Sequence, residues 1–161
     1  METNYYLYKI IDVDKLVYIG KSSNIDFRIS THNVICENFE KDDYFLCRGE
    51  LIQNPLVYVA NIENEYWLSL YEITLISKYK PLYNKGDVYE TNTFLHIPKL
   101  NWFPYVSKED ALHSYCMRTG KLPNKNMLET PLKRWKLLNT ISEGDGEYDR
   151  NNSIHTCKSS N

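Results

Sequence analysis

The sequence is short of the features that mark secreted, membrane-spanning or metal-stapled proteins. Its four cysteines, Cys36, Cys47, Cys116 and Cys157, form no C-x-x-C pair and keep no regular spacing. That pattern suggests neither a zinc site nor a disulfide framework and reads as free thiols in a reducing compartment. No apolar run approaches the ~18 residues a membrane helix needs, and no charged-then-apolar stretch opens the chain, so the expectation is a protein that stays in the cytosol. A polybasic character is missing too, since the formal charge is −2. There is no internal repeat and no zinc-finger pattern.

What is present suits one core with an extension. The chain has 161 residues, 42% hydrophobic and 25% charged, near the averages of globular domains. Charge is unevenly spread: residues 1–50 carry nine acids against six bases, residues 99–136 eight bases against three acids. A polyanion would meet the second half as readily as the first, although a solvated helical face explains the same bases.

The residue pattern predicts an α/β (α+β) fold: a small mixed or antiparallel sheet with an N-terminal β-hairpin, flanked by helices, plus a helical C-terminal extension. "YYLYKII" and "KLVYIG" are aromatic and β-branched, separated by "DVD", and read as the hairpin. Asn24 caps a helix running to about Val34. Residues 36–54 read as an irregular acidic loop with weak helical pieces, "PLVYVANI" as a buried strand, and "EYWLSLYEITLISKYK" as a helix capped by Asn61 or Asn64 and ended by Pro81. Ser107 caps a second clear helix, "TPLKRWKLLNTI" adds another, and from Ser142 the polar composition predicts disorder.

Several polar residues fall where apolar ones would pack as well. If Asp12-Val13-Asp14 forms a three-residue loop, Tyr8 stands directly opposite Tyr18 and both phenols share a face; a two-residue loop would turn them to opposite faces. Arg28 and His32 are four apart, hence on one face of a helix. Glu72 lies mid-helix among Trp67, Leu68, Tyr71, Leu75 and Ile76, where a carboxylate is costly without a partner. Taken singly, each has a plain reading as a strand aromatic, a solvated helix face or a polar strip.

In this order they resemble the GIY-YIG nuclease family. Tyr6-Leu7-Tyr8 matches its first motif and Tyr18-Ile19-Gly20 its second. Lys21, Arg28 and His32 match its basic helix, Glu72 its metal-binding glutamate, and Asn84 in "PLYN" its closing asparagine. The departure is Tyr6, where the family usually has glycine; its side chain would either narrow the mouth of the site or pack outward. The resemblance implies a catalytic domain at 1–90, a basic and aromatic extension at 91–141, and a tail at 142–161.

It also implies a metal-dependent endonuclease that hydrolyses DNA phosphodiester bonds, in a bacterial or phage-infected cell. Glu72 would hold one Mg²⁺ (or Mn²⁺), Arg28 would grip phosphate, and Tyr8 or Tyr18 would be the general base. Lys21 and His32 would assist, and Asn84 would fix the architecture. DNA contacts would come from Lys21 and Arg28, and from Arg118, Lys121, Lys125, Lys133 and Arg134. Trp102, Phe103 and Trp135 read better as packing groups than as stacking platforms. A homodimer would serve two-strand cutting. The alternative is a nucleic-acid-binding or inhibitor protein that kept the fold without turnover.

Overall fold

The computed structural model describes residues 4–35, 43–84 and 97–144. It divides into two compact units, Met1–Pro104 and Tyr105–Asn161. The first holds the predicted α+β architecture. Strands β1 (Tyr5–Asp12), β2 (Lys15–Ser22), β6 (Pro55–Ile62) and β7 (Phe103–Pro104) form an antiparallel sheet in the order β2-β1-β6-β7. A second sheet joins β3 (Asn33–Ile35), β4 (Asp43–Cys47) and β5 (Glu50–Ile52). Helices α1 (Ile25–Ser30) and α2 (Glu65–Tyr79) complete the unit.

The hairpin is built differently from the expected three-residue loop. Its turn has two residues, Val13 and Asp14, both with left-handed backbone at φ 46° and 63°, the geometry that matches strand twist in a tight hairpin. Alone, that turn would send the two phenols to opposite faces. The register then slips: Asp12 pairs with Lys15 and Ile11 with Leu16, but Ile10 pairs with Tyr18, so Val17 is an extra residue in β2. This bulge restores the parity, and Tyr8, opposite Gly20, lies diagonally across from Tyr18 on one face.

Alternation sends the intervening residues to the other face. Leu7 and Ile19 join Ile62, Leu68, Tyr71 and Ile76 in a buried cluster, with Tyr5, Trp67 and Trp102 packed against it. Each fully buried large apolar side chain contributes roughly 1.5–3 kcal/mol, so this layer fixes α2 to the sheet. Trp102 and Phe103 thus serve the core of the first unit, because β7 pairs with β6 and carries that unit to Pro104. Tyr5 is explained by the same cluster. Tyr6 does not face outward: it is buried on the Tyr8 side of the sheet, between Ser22 and Asn61.

Two further expectations change, and the choice between Asn61 and Asn64 closes. Helix α1 stops at Ser30, because Thr31 caps it and the chain turns into β3, so His32 lies beyond the helix. The described part of the expected acidic loop is a hairpin, β4–β5, whose turn is Arg48-Gly49 at φ 48° and 81°. Asn64, with an extended backbone, is the cap that accepts from Trp67 N. Lys80, in left-handed conformation ahead of buried Pro81, ends α2.

The second unit is helical: α3 (Lys108–Thr119) capped by Ser107, a 3-10 turn (Lys125–Leu128), and α4 (Pro131–Gly144). Helix α4 thus takes in the first residues of the expected tail, the rest of which lies outside the described residues, as do Cys36 and Cys157. Cys47 and Cys116 are free thiols.

Candidate active site

Tyr8 is the centre of the polar cluster. Its side chain is fully buried, and its hydroxyl meets Arg28 and His32, with Tyr18 in the same hydrogen-bond network. Arg28 Nε donates to it at 3.1 Å, and His32 Nε2 lies 3.3 Å away. Arg28 reaches in from α1, while His32 arrives from the segment leading into β3. The helix face expected to pair them is absent, yet one hydroxyl brings them together.

The second sheet orients the histidine. His32 Nδ1 lies 2.8 Å from the Leu46 carbonyl, Leu46 N donates to the His32 carbonyl at 2.7 Å, and the imidazole stacks on Phe45. A carbonyl only accepts, so Nδ1 carries the proton and Nε2 of the neutral ring presents its lone pair. Arg28 donates to the phenol oxygen, and Nε2 of the neutral ring can only accept, so the Tyr8 hydroxyl is able to donate to it. Burial holds His32 below the ordinary range and the Arg28 charge adds to that, against the Leu46 hydrogen bond. The ring is therefore neutral at neutral pH. Burial pushes the Tyr8 phenol up, as does neighbouring Tyr18, and Arg28 offsets part of the rise.

Gly20 makes room for this arrangement. A Cβ there would lie 2.6 Å from both Cζ and the hydroxyl oxygen of Tyr8 and 2.8 Å from Tyr18 Cε1. The rings of Tyr8 and Tyr18 are 5.9 Å apart, and Tyr18 is 6.1 Å from the imidazole. The glycine of the second motif thus reflects a packing demand from the first.

One residue on, Lys21 leaves the strand on the opposite face. Its ammonium meets Glu72 Oε2 of α2 at 3.1 Å and Ser69 Oγ at 3.1 Å. That ion pair is the partner Glu72 required. Asn84, almost wholly buried, accepts from Ile19 N at 2.9 Å and donates to Ile19 O at 2.9 Å, while Tyr83 N donates to the Val17 carbonyl. The segment after α2 is thereby tied along the outer edge of β2.

The expected DNA contacts in the second unit divide. Arg118, Lys121, Lys125 and Lys133 are on its surface. Arg134 is not: it is completely buried, donates Nη1 to the Val106 carbonyl at 2.8 Å, and sets its guanidinium over Tyr105. It is a structural residue, since a guanidinium enclosed by its own unit cannot meet phosphate.

Sequence reasoning missed the Leu46 carbonyl and Arg48, whose guanidinium carbon lies 5.6 Å from the Tyr18 ring centre. The aromatic and apolar run in "DYFLC" before Arg-Gly was the available signal for that hairpin.

An antiparallel hairpin presenting paired phenols, an arginine and an imidazole, with a carboxylate on the packed helix, marks a small α+β domain. The family model of the GIY-YIG catalytic domain matches residues 4–85, and the chain belongs to the GIY-YIG nuclease family. No curated protein and no solved structure matches it.

Proposed function

We propose that the protein is an endonuclease that hydrolyses DNA phosphodiester bonds with a divalent cation. The observation that carries this reading is the Tyr8 hydroxyl held between Arg28 and an acceptor nitrogen of His32. A phenol with a donor on one side and a neutral imidazole on the other can take a proton from water as it passes its own to Nε2. The water oxygen then bonds to phosphorus and the P–O3′ bond breaks. This geometry favours Tyr8 over Tyr18 as the general base.

Tyr8 is sealed beneath its neighbours, whereas Arg28 is exposed. The phosphate therefore engages Arg28 first, through the outer edge of the guanidinium, and draws it aside to admit the water. Lys21 adds positive charge and holds Glu72 in place. Asn84 positions β2 and touches no reacting atom.

Glu72, which β2 separates from the phenols, would hold the metal, so the phosphate would span that strand to meet both. Among the described residues no group of three or more His, Cys, Asp or Glu gathers. One half-buried carboxylate fits Mg²⁺ or Mn²⁺, which accept one or two carboxylates and complete their shell with water and phosphate oxygens. Such an ion would supply charge neutralisation at the phosphoryl oxygens and the departing O3′. Arg118, Lys121, Lys125 and Lys133 would add backbone affinity from the second unit.

The test is cleavage of supercoiled plasmid with Mg²⁺ and with EDTA, by wild type, Glu72→Ala and Arg28→Ala. Metal-dependent cutting lost in both variants supports the reading. DNA binding without any cutting by wild type would replace it with a non-catalytic binding protein.

A further inference from the structure

The β4–β5 hairpin carries more than the carbonyl that orients His32. Its turn places Arg48 against the ring of Tyr18, 5.6 Å from guanidinium carbon to ring centre, with the residue itself exposed. Tyr18 in turn touches the Tyr8 and His32 rings. Arg48 thus stands at the rim of the phenol cluster, on a hairpin inside the matched residues 4–85 but outside the motifs that carry the resemblance.

From this geometry we infer that Arg48 is a second phosphate-binding residue of the active site. Arg28 brings one guanidinium to the Tyr8 hydroxyl and Arg48 brings a second to the Tyr18 ring, so a DNA backbone crossing the two phenols meets a cation at each. A guanidinium suits phosphate, offering a planar fork with permanent charge, and the Tyr18 face aligns it by stacking. The turn itself speaks for a role. At φ 48° the position favours glycine or asparagine, and an arginine there costs backbone energy that those residues would avoid. The hairpin that sets the His32 tautomer also delivers this cation, so strands β4 and β5 couple proton acceptance to substrate placement.

The inference rests on the nuclease reading, and its test separates the two. Arg48→Gly removes the guanidinium while suiting the left-handed turn; Arg48→Lys keeps the charge without the fork. Thermal melting first establishes that both variants fold like wild type. Binding of a DNA duplex is then measured in EDTA across a salt series, and cleavage with Mg²⁺ under single-turnover conditions. Arg48→Gly is expected to lower the slope of log affinity against log salt by about one, the signature of one lost phosphate contact. It should also weaken cleavage at limiting DNA by at least tenfold. Arg48→Lys should restore the slope and only part of the rate. An unchanged slope and a rate within threefold of wild type for a folded Arg48→Gly would overturn the assignment. If wild type cuts nothing, the nuclease reading fails, and the salt slope alone decides Arg48 as a DNA contact.

Discussion

Strand β2 separates two groups of polar residues that solve opposite problems. On one face, Tyr8, Tyr18 and His32 are 0%, 5% and 8% exposed, so their polar atoms depend on one another. On the other, the Lys21 and Glu72 side chains are 43% and 21% exposed, and water screens their pairing. Changes in the buried group should therefore disturb folding and activity together, whereas changes in the wetter pair should reach activity alone. The difference follows from solvent access, because an unmade hydrogen bond is expensive only where water cannot replace it.

The comparison is broken most decisively at Glu72. Glu72→Gln is expected to reduce metal-dependent cleavage by roughly 10³-fold, while the ion pair it removes contributes at most about 1 kcal/mol to folding. Cleavage assays beside thermal melts measure both; a large fall in stability would contradict the division. Next comes Asn84→Ala, which strips Ile19 of both edge partners and should cost about 3 kcal/mol, read by chemical denaturation. Gly20→Ala forces a Cβ into the Tyr8 ring and should cost about 2 kcal/mol together with activity, whereas Glu72→Gln loses activity at nearly full stability.

A smaller effect sharpens the buried side. The folded state holds His32 below its ordinary pKa of 6.5, so as pH falls below about 6.5 the unfolded chain takes up the proton first and stability declines, levelling off below the folded pKa. At higher pH this residue contributes no pH dependence. Melting curves at stepped pH should show that decline in wild type and a shallower one in His32→Gln. Smallest is Val13→Asn, which suits the left-handed turn and should stabilise by about 1 kcal/mol without changing cleavage.

The polar side chains stand out in the sequence by type and order: two phenols, an arginine and a histidine that the structure gathers at the Tyr8 hydroxyl, and a glutamate and an asparagine that it sets at the other face and the edge of β2. Local caps at Asn24 and Ser107 were legible for the same reason, since a side chain signals the break in the backbone ladder, while at α2 the sequence offered Asn61 or Asn64 and the structure takes Asn64. The bulge at Val17 was not, because pairing register depends on tertiary packing as well as on the turn. Nor was the Leu46 carbonyl, since every residue carries one. Arg134 reads as a surface base until Tyr105 and the Val106 carbonyl close around it. Its chemistry resembled that of the basic neighbours, and only burial tells them apart.

Asn84 has one more consequence. Strand β2 is the outermost strand of its sheet, and an outer strand with free amides and carbonyls invites another chain to pair with it. The asparagine carboxamide satisfies both backbone groups of Ile19, and Tyr83 takes the carbonyl of Val17. The residue that closes the domain thus occupies the edge groups through which a further strand would pair, at the position next to the phenol Tyr18.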